Sequence, residues 1–241
     1  MSEQLTLSLL STIFVVALLF FFRKKEQPQF KPAAELLFYN LAYSAILFVP
    51  IYHAVFSIPG STMNWAGKLA AIILSLSALY FFRREYAFFR DFPRIAPLKT
   101  KRKSILLVGG ISIAIMCALT FFFSGSKPFN LEKLMYQATM PGIDEEIWRA
   151  IVIGLCCVII GHEKYKFGHP SVWLSTFLFA IGHSVSLSNW EFQFFADAFI
   201  VSGLLGYLLG WMTYTSRSLI PALILHNLIN FSTNLIEMLI L

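Results

Sequence analysis

At 241 residues, 57% hydrophobic, only 13% charged and with a mean hydropathy of +0.69, the chain falls well short of the roughly one-quarter charged composition of a soluble domain. That deficit and the repeated apolar runs exclude an ordinary soluble globule and indicate an all-α fold, a polytopic transmembrane helical bundle of about eight helices. The net charge of +6 does not indicate nucleic acid, because the basic residues lie in short loops between apolar runs, where they act as topology signals.

The first helix is expected at roughly 5–22. It lacks a basic stretch before it and a small-residue cleavage site after it, so it reads as a retained helix and not a signal peptide. A linker follows from Glu26 to Pro32, broken by Pro28 and Pro32. The second helix, roughly 36–57, holds Pro50 and His53 and ends near Pro59-Gly60. The third, roughly 64–82, carries Lys68 near its start, where the ammonium can snorkel. Arg83 to Ser104 is the most basic stretch, with Tyr86, Phe88, Phe89 and Phe92 interleaved. It reads as a loop, with a helix lying on the membrane surface as the alternative.

The fourth helix is expected at roughly 105–123. The connection 124–140, with Gly125 and Pro128, is long for a compact bundle. The fifth helix runs from Pro141 to about 161, opening with a proline and acids as helix starts do. The sixth, seventh and eighth span roughly 171–188, 195–213 and 218–240. Cys117, Cys156 and Cys157 all sit in apolar runs and read as small packing residues. With the N-terminus outside, eight helices place fifteen basic residues on the cytoplasmic side and three (Lys68, Lys127, Lys133) on the other. Residues 1–104 then form N-terminal helices and a basic loop that act as scaffold, and 105–241 a core that carries the chemistry.

Charged groups within a bilayer are expensive and usually mark a working site. Asp144-Glu145-Glu146-Ile147-Trp148-Arg149 is such a group. Arg149 lies four residues after Glu145 and three after Glu146, within reach of either on a helix. The bland alternative is a helix start with an internal salt bridge. His183 has Phe179 one turn before it, and His226 has Asn230 one turn after it. Each alone could be interhelical glue. Together, two histidines and a carboxylate match a catalytic zinc shell with an open position. Without metal, a glutamate would activate water while histidine and asparagine stabilise the oxyanion.

These three segments resemble the motifs E-E-x-x-x-R, F-x-x-x-H and H-x-x-x-N of the CPBP family of intramembrane proteases, also called the CAAX protease and bacteriocin-processing, or Abi, family. The resemblance covers roughly 135–235. It implies an intramembrane metallo-endopeptidase acting on membrane-associated peptides or proteins, prenylated or bacteriocin-like. Glu145, with Glu146 or Asp144, would activate water. His183 and His226, with Glu145, would hold Zn2+, or the histidines would stabilise the oxyanion. Asn230 would assist, and Arg149 would orient the acids.

Anchored on Arg149, the family's glutamate pair falls on Asp144 and Glu145; anchored on Pro141-Gly142, it falls on Glu145 and Glu146, with Arg149 one residue early. A second tension concerns depth. Glu145 falls near the outer end of its helix, whereas His226 falls nearer the inner half of its own. A re-entrant segment at 124–140, with the fifth helix starting deep in the bundle, would reconcile them. The rival functions are an inactive membrane scaffold on the same fold and a transporter using these groups as a proton or ion relay. The expected setting is the lipid bilayer of a prokaryotic cell membrane, crossed several times.

Overall fold

The computed structural model describes residues 2–22, 30–52, 58, 60–94, 101–161, 165 and 168–240. His53, Pro59 and the basic residues Arg23, Lys24, Lys25, Lys99, Lys164 and Lys166, on which part of the orientation count rests, lie outside them.

All eight expected helices are present: α1 (Ser2–Phe22), α2 (Phe30–Tyr52), α3 (Trp65–Glu85), α5 (Arg102–Phe123), α7 (Met140–Ile160), α8 (Pro170–Ser184), α9 (Ala196–Ser216) and α10 (Ile220–Leu239). Short helices α4 (Ala87–Arg90) and α6 (Leu131–Gln137) and a hairpin of β1 (Val185–Ser188) and β2 (Glu191–Phe194) complete the described elements. Among the described residues four helices, Glu3–Phe22, Trp65–Glu85, Arg102–Phe123 and Ala196–Ser216, are long and apolar enough to cross a membrane.

Two boundaries differ from expectation for physical reasons. Helix α2 starts at Phe30, with Pro32 in its first turn, where a missing N–H costs no helical bond. Helix α8 stops at Ser184 instead of running to 188. Val185-Ser186-Leu187-Ser188 alternates apolar and polar, and it pairs antiparallel with Glu191–Phe194. Asn189 and Trp190 both take left-handed φ values, 52° and 61°, as a two-residue hairpin turn requires. Such a φ is unfavourable for tryptophan; here the Trp190 N–H donates to Glu3 Oε1 at 2.9 Å, which ties the turn to α1.

Helix α7 is the axis of the bundle. It touches α2, α3, α8, α9 and α10, and its side chains are buried all round from Glu146 to Cys157, as a helix enclosed by others must be. Cys156 and Cys157 are buried within it. Part of the basic stretch after α3 packs inward. Phe89 and Phe92 are fully buried in the main core, and Phe89 of α4 packs against Gly154 of α7. A Cβ at 154 would overlap the Phe89 ring. Gly154→Ala is therefore expected to cost about 1–3 kcal/mol by overpacking, read as a thermal midpoint lowered by several degrees in detergent. The loss should shrink in a Phe89→Leu background.

The 124–140 connection turns inward as the depth tension demanded. The Lys127 N–H donates to the Glu237 carbonyl at 2.8 Å, near the end of α10. The Gly142 N–H donates to Asn227 Oδ1, also at 2.8 Å. These α10 positions are ten residues apart, about 15 Å of helix. The chain thus descends beside α10 before α7 begins, which brings the first turns of α7 level with His226. On the way, Asn130 caps α6 by accepting from the Lys133 N–H at 2.9 Å. Ser61 and Trp65 donate to Glu132, and these bonds hold its carboxyl below the ordinary range. At the opposite end of the bundle, Lys31 pairs with Glu85, and the Arg94 N–H donates to the Arg217 carbonyl, so Lys31, Arg94 and Arg217 lie away from the acids of α7.

Candidate active site

Successive residues of an α-helix point about 100° apart, so three consecutive acids at the start of α7 face three directions. Asp144 points to α2 and α3. Its Oδ2 accepts from the Tyr43 hydroxyl at 2.7 Å and lies 2.7 Å from Lys68 Nζ, while its buried Oδ1 has no partner. Glu146 points to α10. Arg149 Nε donates to its Oε1 and Oε2 at 3.2 and 3.1 Å, and its Oε1 lies 2.9 Å from His226 Nδ1. Glu145 lies between them: Lys68 Nζ donates to its Oε1 at 2.7 Å, and its Oε2 is 3.6 Å from His226 Nε2 and 3.8 Å from His183 Nε2.

The two imidazoles are oriented by their other nitrogens. His183 Nδ1 is 2.8 Å from the Phe179 carbonyl. A carbonyl only accepts, so that nitrogen carries the hydrogen and Nε2 presents a lone pair. His226 Nδ1 faces the Glu146 carboxylate, which imposes the same tautomer. In the neutral state three acceptors, Glu145 Oε2 and both Nε2 atoms, thus converge with no hydrogen between them. Their shared need is a donor such as water.

Arg149 is fully buried and locks the neighbourhood. Its guanidinium carbon lies 4.0 Å from the centroid of the Phe179 ring, and Nη1 donates to the Gly206 carbonyl at 3.4 Å. Phe179 in turn lies against His183, with ring centroids 4.1 Å apart. A Cβ at Gly206 would come within 2.9 Å of Phe179 Cδ1, so α9 needs glycine there to approach. Asn230 lies one turn beyond His226, half-buried, and no described residue hydrogen-bonds its side chain.

A cavity of about 240 Å³ bounded by α1, α2, α7 and α8 is lined by Glu145, His183 and Lys68. The His183 side chain is 45% exposed, so the cavity reaches the protein surface. The donor set has zinc-ligand chemistry, two imidazole nitrogens and a carboxylate. As placed it does not form a metal cage: among the described residues no group of three His, Cys, Asp or Glu is disposed to hold a metal ion.

Three residues of this neighbourhood escaped the sequence reading. Lys68 does not snorkel to the surface; it is buried between Asp144 and Glu145. Tyr43 supports Asp144. Both come from the part of the chain read as scaffold. The available signal was charge: Arg149 alone cannot balance three acids, and Lys68 lies in an apolar run. The third is Asn227, which accepts from the Gly142 N–H, one of the donors that a helix start leaves unpaired. A Cβ at Gly142 would come 2.9 Å from the Leu223 carbonyl, so this contact needs glycine.

A helical bundle with four described helices long and apolar enough to cross a membrane, and an acid–histidine cluster within it, is that of an integral membrane protein. Residues 128–232 match the family described as Rce1-like, the type II CAAX prenyl endopeptidases. This is the family that the three motifs resemble, and the matched stretch contains all three. No curated protein and no solved structure matches the chain.

Proposed function

We propose that the protein is an endopeptidase of the cell membrane that hydrolyses a peptide bond in a membrane-associated protein or peptide, prenylated C-terminal segments being the first class to try. The observation that carries this reading is the convergence of Glu145 Oε2 with the Nε2 atoms of His183 and His226, at 3.8 and 3.6 Å, beside a cavity that reaches the surface.

Water held there donates one hydrogen to Glu145 and the other to an imidazole. Glu145 takes its hydrogen as a proton while the water oxygen attacks the carbonyl carbon. The oxyanion is received by an imidazolium N–H and the Asn230 amide. The C–N bond then breaks, and the proton passes to the leaving nitrogen, giving a carboxyl group and an amine. Three carboxylates against the charges of Lys68 and Arg149 leave one negative charge over, which is costly in lipid. One proton carried by an imidazole closes that balance and supplies the imidazolium. Glu146 and Arg149 hold His226, and Asp144 holds Lys68. Zinc on His183, His226 and Glu145 is the second reading, favoured by the donor chemistry; when bound it would polarise the carbonyl and acidify the water. No step above depends on it.

The test uses purified protein in lipid vesicles with an internally quenched farnesylated CAAX peptide, and the membrane peptides of expressing cells for other substrates. His183→Ala and His226→Ala should each reduce cleavage about 10²- to 10⁴-fold. Peptides unchanged between wild type and both variants would favour the scaffold reading. Activity lost to a chelator and restored by zinc would move the mechanism to the metal.

A further inference from the structure

Helix α1 is apolar along most of its length, yet Gln4, Ser8 and Ser11 recur at helical spacing, so they share one face. In a membrane helix such a face turns toward something that can satisfy it. Here it lines the cavity above Glu145 and His183, opposite Asn40 and Ser44 of α2. This wall lies outside the stretch matched to the protease family.

Counting donors shows what the wall is short of. Asn40 uses its amide hydrogens on Ser8 Oγ at 3.2 Å and Thr12 Oγ1 at 2.6 Å, and its oxygen accepts from Trp148 Nε1 at 2.8 Å. Ser8 and Ser44 share one hydrogen bond, with their oxygens 2.7 Å apart. Two hydroxyls with one bond between them keep one O–H over, whichever of them donates, and no described residue accepts it. Gln4 Nε2 reaches the Leu187 carbonyl at 3.5 Å, and that contact leaves Oε1 as an acceptor. The wall therefore offers a donor and an acceptor to the cavity. Lys68, the cation that lines it, is held by Asp144 and Glu145, so nothing there favours an anion. The volume of about 240 Å³ equals about eight waters at roughly 30 Å³ each, enough for a short extended stretch of chain. An extended main chain presents alternating carbonyls and N–H groups, which is what a leftover donor and a leftover acceptor take.

We propose that this cavity is the peptide cleft, in which the Ser8–Ser44 pair donates to a main-chain carbonyl of the substrate and Gln4 Oε1 accepts a main-chain N–H. The proposal rests on the endopeptidase reading and extends it to how the substrate is held.

With the farnesylated peptide, the double variant Ser8→Ala/Ser44→Ala should raise KM about 3- to 10-fold and leave kcat within about twofold. Replacing each backbone amide of the peptide in turn by an ester, a weaker acceptor with no N–H, should raise KM for the wild type where the N–H meets Gln4 and, separately, at the position whose carbonyl meets the serines. At the latter position the double variant should be indifferent, a coupling that a merely structural role would not produce. Binding is read separately in Glu145→Gln, with a photo-crosslinking side chain in place of Leu7, which lines the same cavity. Crosslinking without wild-type cleavage sustains the cleft and overturns the peptidase. Cleavage with unaltered KM and no coupling, or no crosslinking at Leu7, overturns the cleft.

Discussion

Glu145→Gln is expected to reduce turnover about 10²- to 10⁴-fold while leaving KM and thermal stability close to wild type. Glutamine has the shape of glutamate, and its oxygen can still accept from Lys68 Nζ, 2.7 Å away in the wild type. Its amide hydrogens would even find acceptors in the two Nε2 atoms that Glu145 Oε2 now faces at 3.6 and 3.8 Å. What the variant lacks is a site for the proton of water. Glu146→Gln should behave in the opposite order, because it takes the counter-charge from the fully buried Arg149, and stability should fall first. Measuring kcat, KM and the unfolding midpoint for both variants separates the roles. A Glu145→Gln protein that still cleaves at the wild-type rate would sink the assignment of Glu145 as base.

Lys68→Met should be among the most destabilising single changes in the chain, by about 3–5 kcal/mol. The ammonium is 2.7 Å from both Asp144 Oδ2 and Glu145 Oε1, and its side chain is 9% exposed. Removing it leaves two carboxylates side by side with little water to screen them, and the Tyr43 hydroxyl satisfies only one oxygen. Adding Asp144→Asn should recover a large part of the loss. Unfolding in mixed detergent micelles measures both. Equal stability of Lys68→Met and wild type would mean that the pair is not a closed contact in the protein.

How much of this could be read from the sequence depends on the range of the interaction. The eight long helices were legible because apolar runs of membrane length separated by basic loops admit few other arrangements. The hairpin at 185–194 was not, since four alternating residues after an apolar run look like the last turn of a helix. The convergence of Glu145, His183 and His226 was legible as a combination of motifs. The direction of each acid was not, because either alignment of the motif was acceptable. Folding sends Asp144 to Lys68 and Tyr43, and Glu146 to Arg149. The arginine that falls one residue early closes a three-residue pair with Glu146, which a helix accommodates as readily as a four-residue one. Lys68 could not be paired by inspection, with its partner 77 residues downstream.

That interval has a meaning in time. Domains form while the chain is made, at about 5–20 residues per second, so Lys68 enters the membrane about 4–15 s before Glu145 exists to receive it. During those seconds the lysine, four residues into α3, can keep its ammonium at the bilayer surface. Snorkelling thus describes the nascent helix, and burial the finished one. A chain truncated before residue 144 would lack both carboxylates that receive Lys68 in the finished structure.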